Sequence, residues 1–185
     1  MVKKYLSRTY AFLVYLFLYM PIFLLILFSF NDSRYGGRWQ GFTFKWYTEL
    51  FSDGSIMESL YTTIIVAVIA SIISTVIGTI SAIAIHNMSP RKKAILTNLS
   101  YIPMVNPDIV IGISLLSFFS ILNLKLGYIT LILAHITFNI PYVIFAVLPK
   151  LQQLNPNIEE AALDLGATPI QAFFKVILPE IMPGI

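Results

Sequence analysis

Asp108 is the only acidic residue in the apolar stretch from Ala94 to Leu122. An ionisable group at membrane depth is expensive, and by default it is a functional candidate. A carboxylate there could offset the cost of desolvating a cationic group. A second reading is local. Asn106-Pro107-Asp108 is a helix-start signature, and an acid in a first turn meets the positive end of the helix dipole. The two readings are compatible. Pro107 to Leu122 is 16 residues, about 24 Å of helix against a hydrocarbon core of ~30 Å. The chain before it must lie partly within the membrane, making a broken span, and interrupted helices point to transport sites.

Other chemistry is sparse. Trp46 could stack on an alkylammonium by cation–π attraction, although a water–lipid anchor is the competing role. His135 and Asn139, four residues apart, share a helix face, where hydrogen bonding between helices competes with solute contact. There is no cysteine and the only histidines are His86 and His135, so no metal site or cofactor is expected. Gly36 to Gly41 has Walker A glycine spacing, but Phe42-Thr43 stands where phosphate binding needs Lys-Ser/Thr. Neither HExxH nor GxSxG occurs. The chain is not expected to be an enzyme, and any ATP hydrolysis must come from a separate subunit.

The elements that position these residues are apolar. Of the 185 residues, 57% are hydrophobic and 11% charged, against about 45–50% and ~25% in soluble domains. A chain of this size has too little interior to hide such content, so its solvent is lipid. The net charge is only +3, with the cations scattered beside apolar runs, which excludes a nucleic-acid face. Apolar runs predict an all-α polytopic membrane protein with spans at about 9–30, 60–85, 94–122 (broken near 103–108) and 127–148. Pro21 is expected to kink the first. The first run is too long for a signal peptide and lacks a small-residue cleavage site.

Ala70, Ser74, Gly78 and Ala82 make a small-residue stripe suited to close helix packing. The loop 31–58 is polar and aromatic, with a turn at Gly36-Gly37. Lys3, Lys4 and Arg8 precede the first span, and Arg91, Lys92 and Lys93 follow the second in a short loop. The positive-inside bias places both in the cytoplasm with the C-terminal segment, and 31–58 outside.

Residues 150–179 form the most informative segment. Asn155-Pro156 predicts a helix start, Glu159 and Glu160 favour its first turn, and Gly166 is placed for a left-handed C-cap. Thr168-Pro169 starts a second helix running toward Leu178-Pro179. Ile158, Ala161, Ala162 and Leu165, then Ile170, Phe173, Phe174 and Ile177, repeat at helical spacing. Such a pair could lie on the membrane surface or dock into a partner's groove. Periodicity does not choose between them.

Glu160-Ala161-Ala162, Gly166, Val176 and Leu178-Pro179 stand at the spacing EAA-x3-G-x9-I-x-LP. The segment resembles the EAA loop of ABC-importer permeases, with Val176 replacing the Ile. Phe30-Asn31-Asp32-Ser33, Trp39 to Thr43 and Lys45-Trp46-Tyr47 are similar to the first external loop of that family's spermidine/putrescine branch. Asn106 to Val110, Gly112 to Leu116, Ala134 to Phe138 and Leu163 to Ala167 extend the similarity along essentially the whole chain.

The resemblance implies a type I ABC-importer permease fold in a bacterial cytoplasmic membrane. The implied function is polyamine import, with Glu160, Ala161, Ala162, Gly166, Leu178 and Pro179 docking an ABC ATPase dimer. It further implies a second permease subunit, an extracytoplasmic polyamine-binding protein, and Asp108 and Trp46 along the solute path. Further helices are expected after the loop, so the chain reads as C-terminally incomplete and the 185 residues alone are not expected to support uptake. An importer for another solute and an inactive fragment are the alternatives.

Overall fold

A computed structural model describes residues 2–33 and 37–185, with side chains from residue 5 onward within those ranges. Arg34 and Gly36, and with Gly36 the Gly36-Gly37 turn, lie outside the described residues. The order is α1 (Val2–Phe28), α2 (Lys45–Ser52), α3 (Gly54–His86), α4 (Pro90–Val105), α5 (Asp108–Ile121), α6 (Tyr128–Gln153) and α7 (Ile158–Asp164). A last helical path comprises α8 (Pro169–Ala172), a π turn (Phe173–Ile177) and α9 (Leu178–Ile181). No strand occurs among the described residues beyond an isolated Asn31–Phe42 bridge. The all-α expectation holds. Tyr5–Phe28, Gly54–His86 and Tyr128–Gln153 are long and apolar enough to cross a membrane.

The chain divides into two compact units, one ending at Tyr61 and the other running from Thr62 to Ile185. In the first, α1 continues through Pro21, and its described side chains up to Phe28 are exposed. Apolar side chains so displayed require lipid or another helix around them. Beyond α1 the backbone folds around Asn31, which is buried. Its amide donates to the Arg38 carbonyl at 2.8 Å, and its Oδ1 accepts from the Gln40 N–H at 2.7 Å. Phe30 stacks on Phe42 and on Tyr47, and meets Phe44 edge-on. The expected polar loop 31–58 is cut short at its far end, where α3 begins. It contains α2, and α3 begins at Gly54 because Asp53 Oδ1 accepts from the Ser55 and Ile56 N–H groups.

In the second unit the small-residue stripe of α3 is buried: Ala70, Ser74, Gly78 and Ala82. A Cβ added at Gly78 would lie 2.6 Å from Val143 Cβ of α6, so this approach needs glycine. Ala82 and Ile85 continue into a core with Ile144, Val147, Leu148 and Leu151 of α6 and Ile181 of α9. Helix α6 keeps Pro141 and Pro149 inside it and extends to Gln153, past the expected end near 148.

Arg91, Lys92 and Lys93 lie in the first turn of α4 rather than in a loop. Pro90 suits a first helical position because its missing N–H would have no partner there. Helix α4 runs through Pro103 and stops at Asn106-Pro107, where α5 leaves at an angle of 104°.

Candidate functional site

The loop after α6 is built by local hydrogen bonds. Asn155 Oδ1 accepts from the Asn157 N–H at 3.0 Å, and the Ile158 N–H bonds the Asn155 carbonyl at 3.0 Å. This makes a turn, so α7 begins at Ile158 instead of directly after Asn155. Glu159 and Glu160 occupy the first turn of α7. Gly166 ends the helix with φ +87°. The Gly166 N–H bonds the Leu163 carbonyl at 2.9 Å and the Ala167 N–H bonds the Ala162 carbonyl at 3.1 Å. That pair of bonds is the Schellman closure, and it bears out the left-handed cap.

Thr168 and Gln171 then cap α8 reciprocally, side chain to backbone, at 3.3 and 3.0 Å. The second helix is not regular. At its π turn the Leu178 N–H reaches the Phe173 carbonyl, five residues back. Pro179 has no N–H to give, and its ring would crowd the carbonyl four residues earlier. A widened turn accommodates it.

The amphipathic faces divide in a way periodicity did not settle. Ala162, Ala172 and Ile181 turn inward. Leu165 is 90% exposed, Ile170 70% and Phe174 60%. Among the expected docking residues, Glu160, Ala161 and Pro179 are exposed, Leu178 is half-buried and Ala162 is buried. The loop thus has an anchored inner side and an apolar outer side. Leu165, Ile170 and Phe174 are members of the apolar repeat, and nothing in their spacing marks them as outward.

Asp108 is the first residue of α5, and its side chain is exposed. The N–H groups of Val110 and Ile111 bond the Pro107 carbonyl, at 2.9 and 3.4 Å. No side-chain cap bond forms at this end of α5, leaving the Asp108 carboxylate without a hydrogen-bond or ion-pair partner among the described residues. His135 and Asn139 line a groove of about 380 Å³ with Thr62, Thr63 and Ser71 of α3. Trp46 is half-buried; its Nε1 donates to the Asn31 carbonyl at 2.7 Å, while Lys45 Nζ lies 5.2 Å from its ring centre.

Apolar spans, one sharply bent pair and a capped helical loop after the last span define a helical multi-pass membrane protein. A family model described as "Binding-protein-dependent transport system inner membrane component" matches residues 74–185. The chain is 36% identical over 185 residues to the spermidine/putrescine transport system permease protein PotC of Haemophilus influenzae, covering 100% of this chain and 72% of that protein. Identity with PotC of Escherichia coli K12 is 37%, covering 100% and 70%. The putrescine transport system permease protein PotI of the same strain is 36% identical over 176 residues, covering 91% and 63%. This chain belongs to the inner-membrane components of binding-protein-dependent transport systems. It is a transport permease, not an enzyme, and such a system implies an ATPase and a substrate-binding protein as partners.

Proposed function

We propose that the chain is the membrane-spanning subunit of a polyamine importer, moving spermidine or putrescine into the cytoplasm. ATP is hydrolysed by a separate ATPase dimer docked on the loop of Glu160, Ala161, Ala162, Gly166, Leu178 and Pro179. A second permease completes the pathway, and an extracytoplasmic polyamine-binding protein delivers the solute. The observation that carries this reading is the loop 155–181. Its inner side is anchored on α6 through Ile181, while its outer side presents Leu165, Ile170 and Phe174. A movement imposed on that side is transmitted to α6 because packed cores shift as units.

Asp108 and Trp46 are the proposed solute-path residues. Helix N-termini repel cations; a carboxylate at the start of α5 reverses that local field. The named relatives and the cationic solute they carry support the same choice. The test is uptake of labelled spermidine by the assembled importer in vesicles. Asp108→Asn is expected to lower uptake at least tenfold with normal assembly. Unchanged uptake with normal assembly removes Asp108 from the path, and failure of unlabelled spermidine to compete moves the chain to an importer of another solute.

A further inference from the structure

A groove of about 340 Å³ opens between α5 and α6, beside the turn that joins them. Leu115, Leu116 and Phe119 of α5 form one wall, and Leu126 and Leu131 form the other. The lining holds one polar side chain, Thr130. Its hydroxyl donates to the Gly127 carbonyl and accepts from the Gly127 N–H, both at 2.9 Å, so it has no hydrogen left to give an occupant. Gly112 and Gly127 widen the groove: a Cβ at either would meet no atom within 4 Å. These glycines therefore serve no close helix approach of the kind seen at Gly78. Phe119 is the only buried residue of α5, so the chain itself covers little of that helix.

We infer that this groove holds one acyl chain of a membrane phospholipid, whose phosphate is met by Lys125 at the turn. Both walls stand in apolar segments of the spans, so lipid reaches the groove without leaving the bilayer. The wall chemistry excludes a polar solute, which would lose its water here and gain no hydrogen bond. Size excludes a helix. A cylinder ~10 Å across, over the ~10 Å from Gly127 to Ala134, fills roughly 800 Å³. A methylene chain fits: at about 30 Å³ for a water-sized group, the groove takes roughly eleven. Charge fixes the headgroup end. Lys125 is the only Lys, Arg, Asp or Glu between Asp108 and Lys150. It is exposed, with no ion-pair or hydrogen-bond partner among the described residues. It immediately precedes Leu126 of the groove wall, and a lysine stem lies along apolar surface while its ammonium reaches the headgroup layer.

Position gives the site a consequence. The groove runs from the turn to Gly112, one helical turn from Asp108 at the α4–α5 bend. An acyl chain against Leu115 and Leu131 extends the α5–α6 contact past Phe119 and steadies α5 as a limb of the bent pair. The site is separate from the residues proposed for solute and ATPase, and it stands whatever solute the chain carries.

The experiment is native mass spectrometry of the whole chain, alone and in its assembled transport complex. Each is first exchanged out of mixed micelles of dioleoyl phosphatidylglycerol or dioleoyl phosphatidylcholine. One phospholipid per chain is expected to survive, with phosphatidylglycerol favoured about fivefold, the effect of one lysine beside an anionic headgroup. Gly112→Leu fills open space with a good helix former and should lower retention of both lipids at least fivefold. Ala134→Leu should do the same from the α6 wall, so a folding defect in one variant, seen by circular dichroism, leaves the other to decide. Ile113→Leu, outside the groove, should change nothing. Lys125→Gln should keep the lipid and abolish the preference; an unchanged preference overturns the role of Lys125. No lipid retained by the unaltered chain overturns the site, as does undiminished retention by a folded groove-filling variant. Equal loss in Ile113→Leu overturns it in favour of nonspecific annular lipid. Lipid kept by the isolated chain but lost in the complex overturns it in favour of a neighbouring subunit's side chains.

Discussion

Gly166 shows how one residue sets the shape of the loop 155–181. Its φ of +87° turns the chain back between α7 and α8, and a Cβ there would meet no atom within 4 Å. The penalty for any other residue is therefore conformational, about 1–2 kcal/mol for a left-handed backbone. Gly166→Ala should speed amide exchange in α7 and α8 roughly 5–30-fold, measured in detergent by mass spectrometry. Unchanged exchange would mean the cap does not hold the loop. This residue was legible in the sequence because its role is local.

Trp46 was less legible, because its neighbours are brought by the fold. The Asn31 carbonyl takes its N–H, and Lys45 already places a cation over its ring. If a solute ammonium is to use that face, it must displace Lys45. A cation–π contact at an exposed site is worth about 0.5–1 kcal/mol. Lys45→Met should then lower KM for spermidine uptake about two- to fivefold. An unchanged KM would leave Trp46 as an interface anchor.

At the scale of elements, α3 and α6 meet through the close approach of Gly78 to Val143 and share a buried core. The stripe Ala70, Ser74, Gly78, Ala82 was readable as a packing face, since small residues four apart allow two backbones to approach in lipid. The identity of the facing helix was not readable, because no local signal reaches across 65 residues from Gly78 to Val143. Gly78→Ala should destabilise the helix pair by about 1–3 kcal/mol through overpacking, followed by unfolding in mixed micelles. Val143→Gly removes both the Cβ and the Cγ1 that the added methyl meets. A helical glycine costs ~1 kcal/mol of its own, but the added methyl should cost much less in that background; if it costs as much there as alone, the contact is not the cause.

Boundaries were legible only where a cap was recognised. The Asp53 cap and the Pro90 first turn are both present in the sequence, yet the aromatic and basic composition of those segments reads as loop. The π turn was hidden for another reason. Pro179 reads as a helix end, and only packing of Ile181 into the core keeps the path helical beyond it.

For the whole molecule, the bent pair α4–α5 decides what the other spans mean. Neither member is long enough to cross alone: 16 and 14 residues give about 24 and 21 Å against ~30 Å of hydrocarbon. As one broken span, the pair makes the third of four crossings and brings the loop 155–181 to the same side as Lys3, Lys4 and Arg8. As a re-entrant loop it makes none, and the docking loop would face the opposite side from the N-terminus.

The basic clusters favour the first arrangement, and so does the ATPase docking proposed for the loop 155–181. The chain has no cysteine, so single reporters can be introduced at Thr48, Lys125 and Asp164. With a membrane-impermeant maleimide on intact cells, Thr48→Cys and Lys125→Cys should label directly, and Asp164→Cys only after permeabilisation. Labelling of Asp164→Cys in intact cells, with Lys125→Cys protected, would establish the re-entrant arrangement. It would also place the loop of Glu160 and Gly166 on the side of the membrane where no ATPase could dock.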